Sequence, residues 1–512
     1  MGNLLKNERL KQYKKVSTWI LIGVILAFSL LTLGITKFSY YQMSRYSYGM
    51  DWEDRYTQEI QNSQRELNNN AQEDPQYQNS LRYDIEKFTY LSENRIEPSD
   101  WRVDVVTAYY AALTNIADLE LKEGGPDPMI AQYQAQADVF KSILDKNDWR
   151  ELVRQKMKLL EEGENSGLIS ILLNYQLPET GEERQVAREV LQMQLDYGVK
   201  PLSTSLQYYY GYNSRQTPED AWKNNNLTKI QNNRLSLLRG ENTDGRVLSS
   251  QSRATLQQDI NVYVEQLRTN AEPVASDSFM GLLDSSASSL SLISIILMVM
   301  AGGMIAGEFS SGTVKLLLIT PHKRREIFWA KALLLLEITL IALGAMFVVS
   351  FLFCGVLYGF QGIASMQVLS LFGSVVRIPY LLFVLMKYLL NLLPILVFGA
   401  LAYMLSAVTR KGAVAIAVSI LLMFGGSMFT AILSSLNSIV VPGAKFLFFC
   451  NTDLSIYLPT PSAVSMMGMM TGSSVRTVDP SMTLPLSVIV LLVYLVCFLW
   501  IARDSFCRRD VK

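Results

Sequence analysis

The chain has 512 residues, and its 46 basic and 46 acidic side chains cancel in net charge. Basic residues gather at both ends, whereas residues 38–283 hold more acidic than basic ones. This separation indicates two compartments and argues against nucleic-acid binding. One histidine and four cysteines without metal-ligand spacing exclude a common metal site, and the absence of a G-x-x-x-x-G-K-[ST] motif excludes a P-loop. We therefore predict no enzyme activity and no cofactor bound by this chain.

The N-terminal segment, residues 1–15, is predicted to be a basic amphipathic element, because five lysines and arginines stand against one acidic residue, Glu8. The uncharged run Val16–Thr36 follows. At about 1.5 Å per residue it reaches roughly 31 Å, the thickness of a hydrocarbon core. A signal peptide is the alternative, but the run is long for one and no small-x-small cleavage site follows. We predict a transmembrane helix at 16–37 whose basic end lies in the cytoplasm.

Residues 38–283 are predicted to form a large, mostly helical extracellular domain between the first two transmembrane helices. The block is rich in Gln, Asn, Glu and Tyr. Apolar side chains recur in it at helical spacing, for example at Val106, Tyr110 and Leu113. It contains no cysteine, so no disulfide can stabilise it.

Five further apolar runs complete a mainly α, polytopic membrane protein with six transmembrane helices. These runs are at 285–306, 332–358, 381–407, 413–436 and 484–502. The connections at 307–331 and near residue 410, and the tail 503–512, are basic, as cytoplasmic segments usually are. We therefore expect both termini in the cytoplasm and the chain in the cell membrane.

The connection at 437–483 is only partly polar. Its short apolar runs cannot cross a bilayer, and Pro442, Pro459 and Pro461 interrupt them. The segment is predicted either to form re-entrant or interfacial helices or to be a loop that packs on the extracellular domain.

Three polar residues in the predicted spans are candidates for a transport pathway: Glu337, Lys387 and Asn391. Ionisable groups inside a bilayer are costly and are often functional. Simpler interpretations exist. Glu337 is expected to reach the membrane interface or to pair with Lys331 or Lys411. Lys387 is expected to extend outward to the headgroups.

The basic segment 307–331 carries the most specific pattern of the chain. Glu308 and Phe309 are predicted to open an amphipathic helix that ends at Pro321. A short cytoplasmic helix between two spans suits the docking of a soluble partner. The residues of the pattern are, in order, Gly307, Glu308, Phe309, Gly312, Thr313, Leu317, Leu318, Pro321, Arg324, Ile327 and Lys331.

This pattern, E-[FY]-x-x-G-T followed by L-L, P-x-x-R and a later lysine, resembles the loop between spans two and three in permease subunits of ABC-2 type ABC transporters. The resemblance implies that the loop forms a coupling helix, which seats in a groove of a separate cytoplasmic ATPase subunit. ATP with Mg would bind in that ATPase. The resemblance also implies a second permease half, identical or homologous, and export as the direction of transport. The N-terminal segment would match the amphipathic connecting helix of the family, and 437–449 its external re-entrant helices.

Two other classes of function use some of the same features. In a membrane sensor, the domain at 38–283 would bind a ligand and the basic loop would recruit a cytoplasmic signalling partner. A secondary transporter is disfavoured, because the two halves of the chain show no internal similarity.

Overall fold

A computed structural model gives the fold of the chain. It describes residues 2–46, 52–69, 74–121, 128–162, 178, 180–203, 221–241, 245, 247–248, 250–275, 277–310, 323–371, 374–435, 443–458 and 482–508. The chain divides into two compact units. Met1–Ser39 and Pro273–Lys512 form the first, called here the membrane unit, and Tyr40–Glu272 form the second, called here the polar unit.

The described part of the chain is mostly helical. In chain order its helices and strands are α1 (Gly2–Tyr13), α2 (Val16–Tyr46), α3 (Trp52–Asn69), α4 (Pro75–Glu93), α5 (Arg102–Glu120), α6 (Pro128–Lys146), α7 (Trp149–Glu162), α8 (Gly181–Asp196), α9 (Ala221–Arg239), α10 (Ser250–Thr269), α11 (Phe279–Ser285), α12 (Ser291–Ser310), α13 (Arg324–Tyr358), β1 (Met366–Leu371), β2 (Ser374–Pro379), α14 (Tyr380–Thr409), α15 (Gly412–Ser435) and α16 (Leu484–Arg508). A 3₁₀ turn at Ser286–Leu290 joins α11 to α12.

The polar unit contains α3 to α10, as its helical periodicity predicts. Two of these helices begin where the sequence supplies a capping side chain: Asp74 accepts a hydrogen bond at the start of α4, and Thr180 does so at the start of α8. Apolar side chains such as Phe88, Phe140 and Ile230 are buried in its cores. The predicted helical character of this block is confirmed, and its extracellular position stays a prediction.

The membrane unit contains six helical segments that are long and apolar enough to cross a bilayer, which confirms the predicted number. They are Thr18–Gln42, Phe279–Ser310, Arg324–Tyr358, Tyr380–Thr409, Gly412–Thr430 and Leu484–Arg508. Their shared core is apolar and includes buried side chains from every segment except Gly412–Thr430, of which only partly buried side chains pack against it. The chain is therefore a membrane protein with mainly α structure.

The helices next to the basic loop extend into it. Glu308 and Phe309 lie in the last turn of α12, so the prediction that they open a separate helix is wrong. The apolar run that begins at Ser291 contains no proline, and the helix continues to Ser310. Likewise α13 starts at Arg324 rather than at 332, because the basic residues there are good helix formers and Glu326 suits a first turn.

A β-hairpin lies between α13 and α14, in the connection between the predicted spans 332–358 and 381–407. Its strands are antiparallel, with Met366 opposite Pro379 and Leu371 opposite Ser374. Val368 and Leu369 are buried. Six-residue strands are short, so their pattern is weak in the sequence.

Residues 443–458 pack within the membrane unit. The Phe448 ring lies 5.7 Å from Phe398 of α14 and 5.9 Å from Phe498 of α16, measured between ring centroids. Tyr457 hydrogen-bonds Ser487, near the start of α16, at 2.7 Å. Ser487 and Phe498 are roughly 16 Å apart along a helix, so the segment follows α16 well into the apolar region. This packing favours the re-entrant alternative for the part of 437–483 that is described.

Candidate functional site: a buried ion network beside the basic loop

The structure describes part of the predicted loop pattern. Gly307, Glu308 and Phe309 end α12, and Arg324 and Lys331 lie in the first turns of α13. Ile327 of the pattern is also buried in α13. The remaining predicted residues, Gly312, Thr313, Leu317, Leu318 and Pro321, lie outside the described residues.

Lys331 is the centre of a buried ion network. Its Nζ lies 2.7 Å from Glu308 Oε1 and 3.0 Å from Glu8 Oε2. Lys11 Nζ donates to the same Glu308 Oε1 at 3.0 Å. Lys331 is 1% exposed, Glu308 5% and Glu8 8%. Two lysines and two glutamates give a formally neutral group, which limits the cost of burying charge.

The network joins three helices at one place. Glu8 and Lys11 belong to α1, Glu308 to the end of α12, and Lys331 to α13. Because Glu308 and Lys331 are buried within the chain, their side chains do not suit direct contact with a soluble partner. What they can do is hold the two helices that flank the basic loop to each other and to α1.

A second ion pair ties α1 to α13. Glu337 accepts hydrogen bonds from Arg9 Nε at 2.7 Å and from the Tyr13 hydroxyl at 3.2 Å. Among the described residues these are its partners, so the predicted pairing with Lys331 or Lys411 is wrong. The pair is partly exposed, so it contributes less to stability than the buried network.

The charges of these groups affect titration in α1. Burial lowers the pKa of Lys11, but the hydrogen bond and negative charge of Glu308 outweigh it, and the pKa is raised. Burial and the negative charge of Glu337 raise the pKa of Tyr13. Both groups therefore keep their protons at neutral pH.

The Ser406 hydroxyl bridges two backbone groups of α12. It accepts from the Ala306 N–H at 3.0 Å and donates to the Gly302 carbonyl at 2.7 Å. The two groups are four residues apart, and α12 continues through them to Ser310. Because Ser406 belongs to α14, its hydroxyl ties α14 to α12 at this turn. The contact lies directly before Gly307, between the membrane part of α12 and the ion network.

Close approach of helices at this level depends on glycine. A Cβ on Gly302 would come 2.5 Å from Ile416 Cγ1 of α15, and one on Gly412 would come 3.3 Å from the Gly302 carbonyl oxygen. Gly302 therefore permits this close approach. No described atom lies within 4 Å of a Cβ built on Gly303 or Gly307.

Phe309 and Arg410 form a further contact beside the loop. The Arg410 guanidinium lies 4.7 Å from the Phe309 ring centroid. Arg410 ends α14 with a φ of 53°, in the left-handed region. The contact links the ends of α12 and α14.

A second buried ion pair lies elsewhere in the membrane unit. Lys387 Nζ bonds both carboxylate oxygens of Asp284, at 2.6 and 2.8 Å, and lies 4.8 Å from the Phe383 ring centroid. Lys387 is 4% exposed, so the prediction that it extends outward to the headgroups is wrong. Asn391 donates to the Lys387 carbonyl at 2.9 Å, a bond within one helix.

Sequence reasoning missed three members of the two buried clusters, Glu8, Lys11 and Asp284. Glu8 had a signal, because it is the one acidic residue among five basic ones at the N-terminus. Asp284 had a weaker one, because it stands directly before the second predicted span. In the part of the chain that the structure describes, no group of three His, Cys, Asp or Glu side chains could hold a metal ion.

Comparison with known proteins gives a family match and similar proteins from Bacillus subtilis (strain 168). A family model described as a protein of unknown function, DUF2705, matches residues 262–512. The uncharacterized protein YhcI of Bacillus subtilis (strain 168) is 28% identical over 222 residues, which are 43% of this chain and 65% of that protein. The uncharacterized membrane protein YdbK of the same organism is 25% identical over 241 residues, 46% of this chain and 85% of that protein. No solved structure matches the chain. The similarity to YdbK agrees with the six apolar helices in indicating a membrane protein.

Proposed function

We propose that the chain is the permease subunit of an ATP-binding cassette exporter, energised by a separate ATPase that docks on the 307–331 segment. The observation that carries this proposal is the buried network of Glu308 and Lys331, which fastens together the two helices at either end of that segment. Because this contact holds the two flanking helices to one another, a displacement of either helix end reaches both helices.

The network gives the loop a mechanical connection to the membrane unit. Since Glu8 and Lys11 also bind in it, α1 moves with α12 and α13. Rigid helices linked in this way transmit a displacement without local unfolding. In the proposed mechanism the ATPase binds ATP with Mg, its closure displaces the loop, and access to a pathway between two permease halves changes.

Docking and transmission belong to different residues in this proposal. Lys323 and Arg325 are exposed beside the loop, so they suit charge pairing with an acidic groove of the ATPase. Arg324 is partly buried at the same helix start. Lys331 and Glu308 are buried and suit transmission.

Two variants separate these roles. The chain is co-expressed with an ABC ATPase of its own organism and purified through a tag on the chain. Lys323→Glu with Arg325→Glu is expected to reduce the recovered ATPase at least fivefold, because it reverses the docking charges. Lys331→Met is expected to keep ATPase recovery and to abolish the stimulation of ATP hydrolysis by the permease.

The matched control is Lys141→Glu with Lys158→Glu, which makes the same charge change on exposed positions of the polar unit. Lys331→Arg keeps the positive charge and reports whether the site tolerates any substitution. Equal ATPase recovery with the docking variant and the control would refute the docking role. Normal stimulation with Lys331→Met would refute transmission through the network.

A further inference from the structure

Helix α1 has one face against the membrane unit and one face exposed. Glu8 and Gln12 are buried. Lys6, Leu10 and Lys14 are exposed, and Leu10 keeps 50% of its surface open. Residues four apart lie on the same side of a helix, so these three form one exposed stripe of a leucine between two lysines.

The exposed charges of α1 are all positive. Its one carboxylate, Glu8, is used by Lys331, whereas Arg9 and Lys11 are paired with acids of α13 and α12. Lys6 and Lys14 form no ion pair among the described residues. The stripe therefore presents positive charge that the rest of the described chain does not neutralise.

The position of α1 relative to the bilayer follows from α13. With 35 residues, α13 is roughly 52 Å long, whereas a hydrocarbon core is about 30 Å thick. Part of α13 must therefore project from the core. Its charged residues all fall in its first half, and α1 binds two of them, Lys331 and Glu337. The helix α1 thus lies alongside the projecting end, close to the membrane surface.

Trp19 is an aromatic side chain that lies close in the sequence to α1 and suits the membrane surface. The indole N–H of Trp19, at the start of α2, donates to the Tyr13 carbonyl at 2.8 Å, and the Trp19 side chain is 55% exposed. Tryptophan with one polar contact and an exposed ring is typical of the zone between headgroups and hydrocarbon. Trp19 and the stripe are adjacent along the chain, so the stripe faces headgroups.

We propose that the stripe Lys6–Leu10–Lys14 is a binding surface for anionic phospholipid. The two ammonium groups pair with headgroup phosphates, and Leu10 enters the upper acyl region. A lysine near an anionic surface adds about fivefold to the binding constant at moderate ionic strength. The proposal needs no ATPase, so it stands or falls independently of the permease function.

The full chain is purified without an ATPase into nanodiscs that contain phosphatidylglycerol and phosphatidylcholine. The lipids retained on release into the gas phase are counted by native mass spectrometry. Lys6→Gln with Lys14→Gln is expected to lower phosphatidylglycerol retention about 25-fold, fivefold for each lysine, and to leave phosphatidylcholine retention unchanged. Raising NaCl from 50 to 300 mM before release is expected to weaken retention by the unaltered chain, because salt screens exposed charges.

The matched control, Lys141→Gln with Lys158→Gln, removes the same charge from the polar unit. Equal phosphatidylglycerol retention by both double variants would overturn the proposal. Retention of phosphatidylcholine as strong as that of phosphatidylglycerol would also overturn it. Inorganic phosphate at millimolar concentration serves as competitor, and displacement of lipid by it would show that free phosphate, not the membrane lipid, is the ligand. A thermal midpoint of the stripe variant equal to that of the control shows that the fold is retained.

Discussion

The described part of the membrane unit buries two lysines, and their surroundings differ in a way that predicts different tolerance to change. Lys331 lies between carboxylates from two helices, and Lys11 shares one of them. Lys387 has one carboxylate partner, Asp284, in the described part of the chain. A network with alternative partners can lose a member and still neutralise its charge, whereas a pair cannot. The first arrangement keeps its helices together when one contact is lost, and the second fails when either partner is lost.

The largest effect is expected for Asp284→Asn. It leaves the Lys387 ammonium buried without a carboxylate, which costs about 3–5 kcal/mol of unfolding free energy. The thermal midpoint of the detergent-solubilised chain measures the loss. Adding Lys387→Met to the same chain is expected to recover most of it, because no unpaired charge remains. Failure of the double variant to recover stability would mean that the aspartate acts through something other than this pair.

A smaller and graded effect is expected in the network. Glu308→Gln should cost about 2–3 kcal/mol, because Glu308 accepts from both lysines. Glu8→Gln should cost about 1 kcal/mol, because Glu308 still neutralises Lys331. The same thermal assay gives both values. Equal costs for Glu308→Gln and Glu8→Gln would contradict the view that Glu308 still neutralises Lys331 when Glu8 is lost.

A change of about 1 kcal/mol is expected for Ser406→Ala, which removes the hydroxyl between Gly302 and Ala306. The hydroxyl then no longer holds this turn of α12 against α14, so amide hydrogen exchange in the last turns of α12 should become faster. Ser419→Ala is the control, because Ser419 is also buried and its Oγ has no hydrogen-bond partner among the described residues. Unchanged exchange in the Ser406 variant would show that the hydroxyl does not stabilise this stretch.

The smallest effect is expected for Arg410→Gln. A cation–π contact at a partly exposed site contributes about 0.5–1 kcal/mol. The thermal midpoint should shift less than in any of the variants above. A shift as large as that of Glu308→Gln would mean that Arg410 contributes to the stability of the ion network. It would contradict the assignment of the network to α1, α12 and α13.

The sequence predicts the spans well because each is a long uncharged run, and that signal needs no tertiary information. It places the start of α13 too late, since the charges at Arg324 and Lys331 suggest a loop although their side chains suit a helix. The partner of Lys387 could not be predicted, because Asp284 is 103 positions away in the chain and only packing brings them together.

The candidate site was predicted in part. The predicted loop pattern includes both Glu308 and Lys331, but it assigns them to contact with a partner. In the structure they bind each other. A charged residue that follows an apolar run, such as Glu308, looks the same in the sequence whether its side chain is buried or exposed. The roles of Gly312, Thr313 and Leu317 stay predictions that rest on the resemblance.

One oxygen atom of Glu308 receives both Lys11 and Lys331, at 3.0 and 2.7 Å. The reach of the side chain matters here as much as its sign, because aspartate is one methylene shorter and its carboxylate would stop short of at least one ammonium. An exchange that conserves charge would therefore separate α12 from α1 or from α13 at this point. Chains related to this one that carry aspartate at the equivalent position should show a compensating longer base, arginine, in place of one of the two lysines.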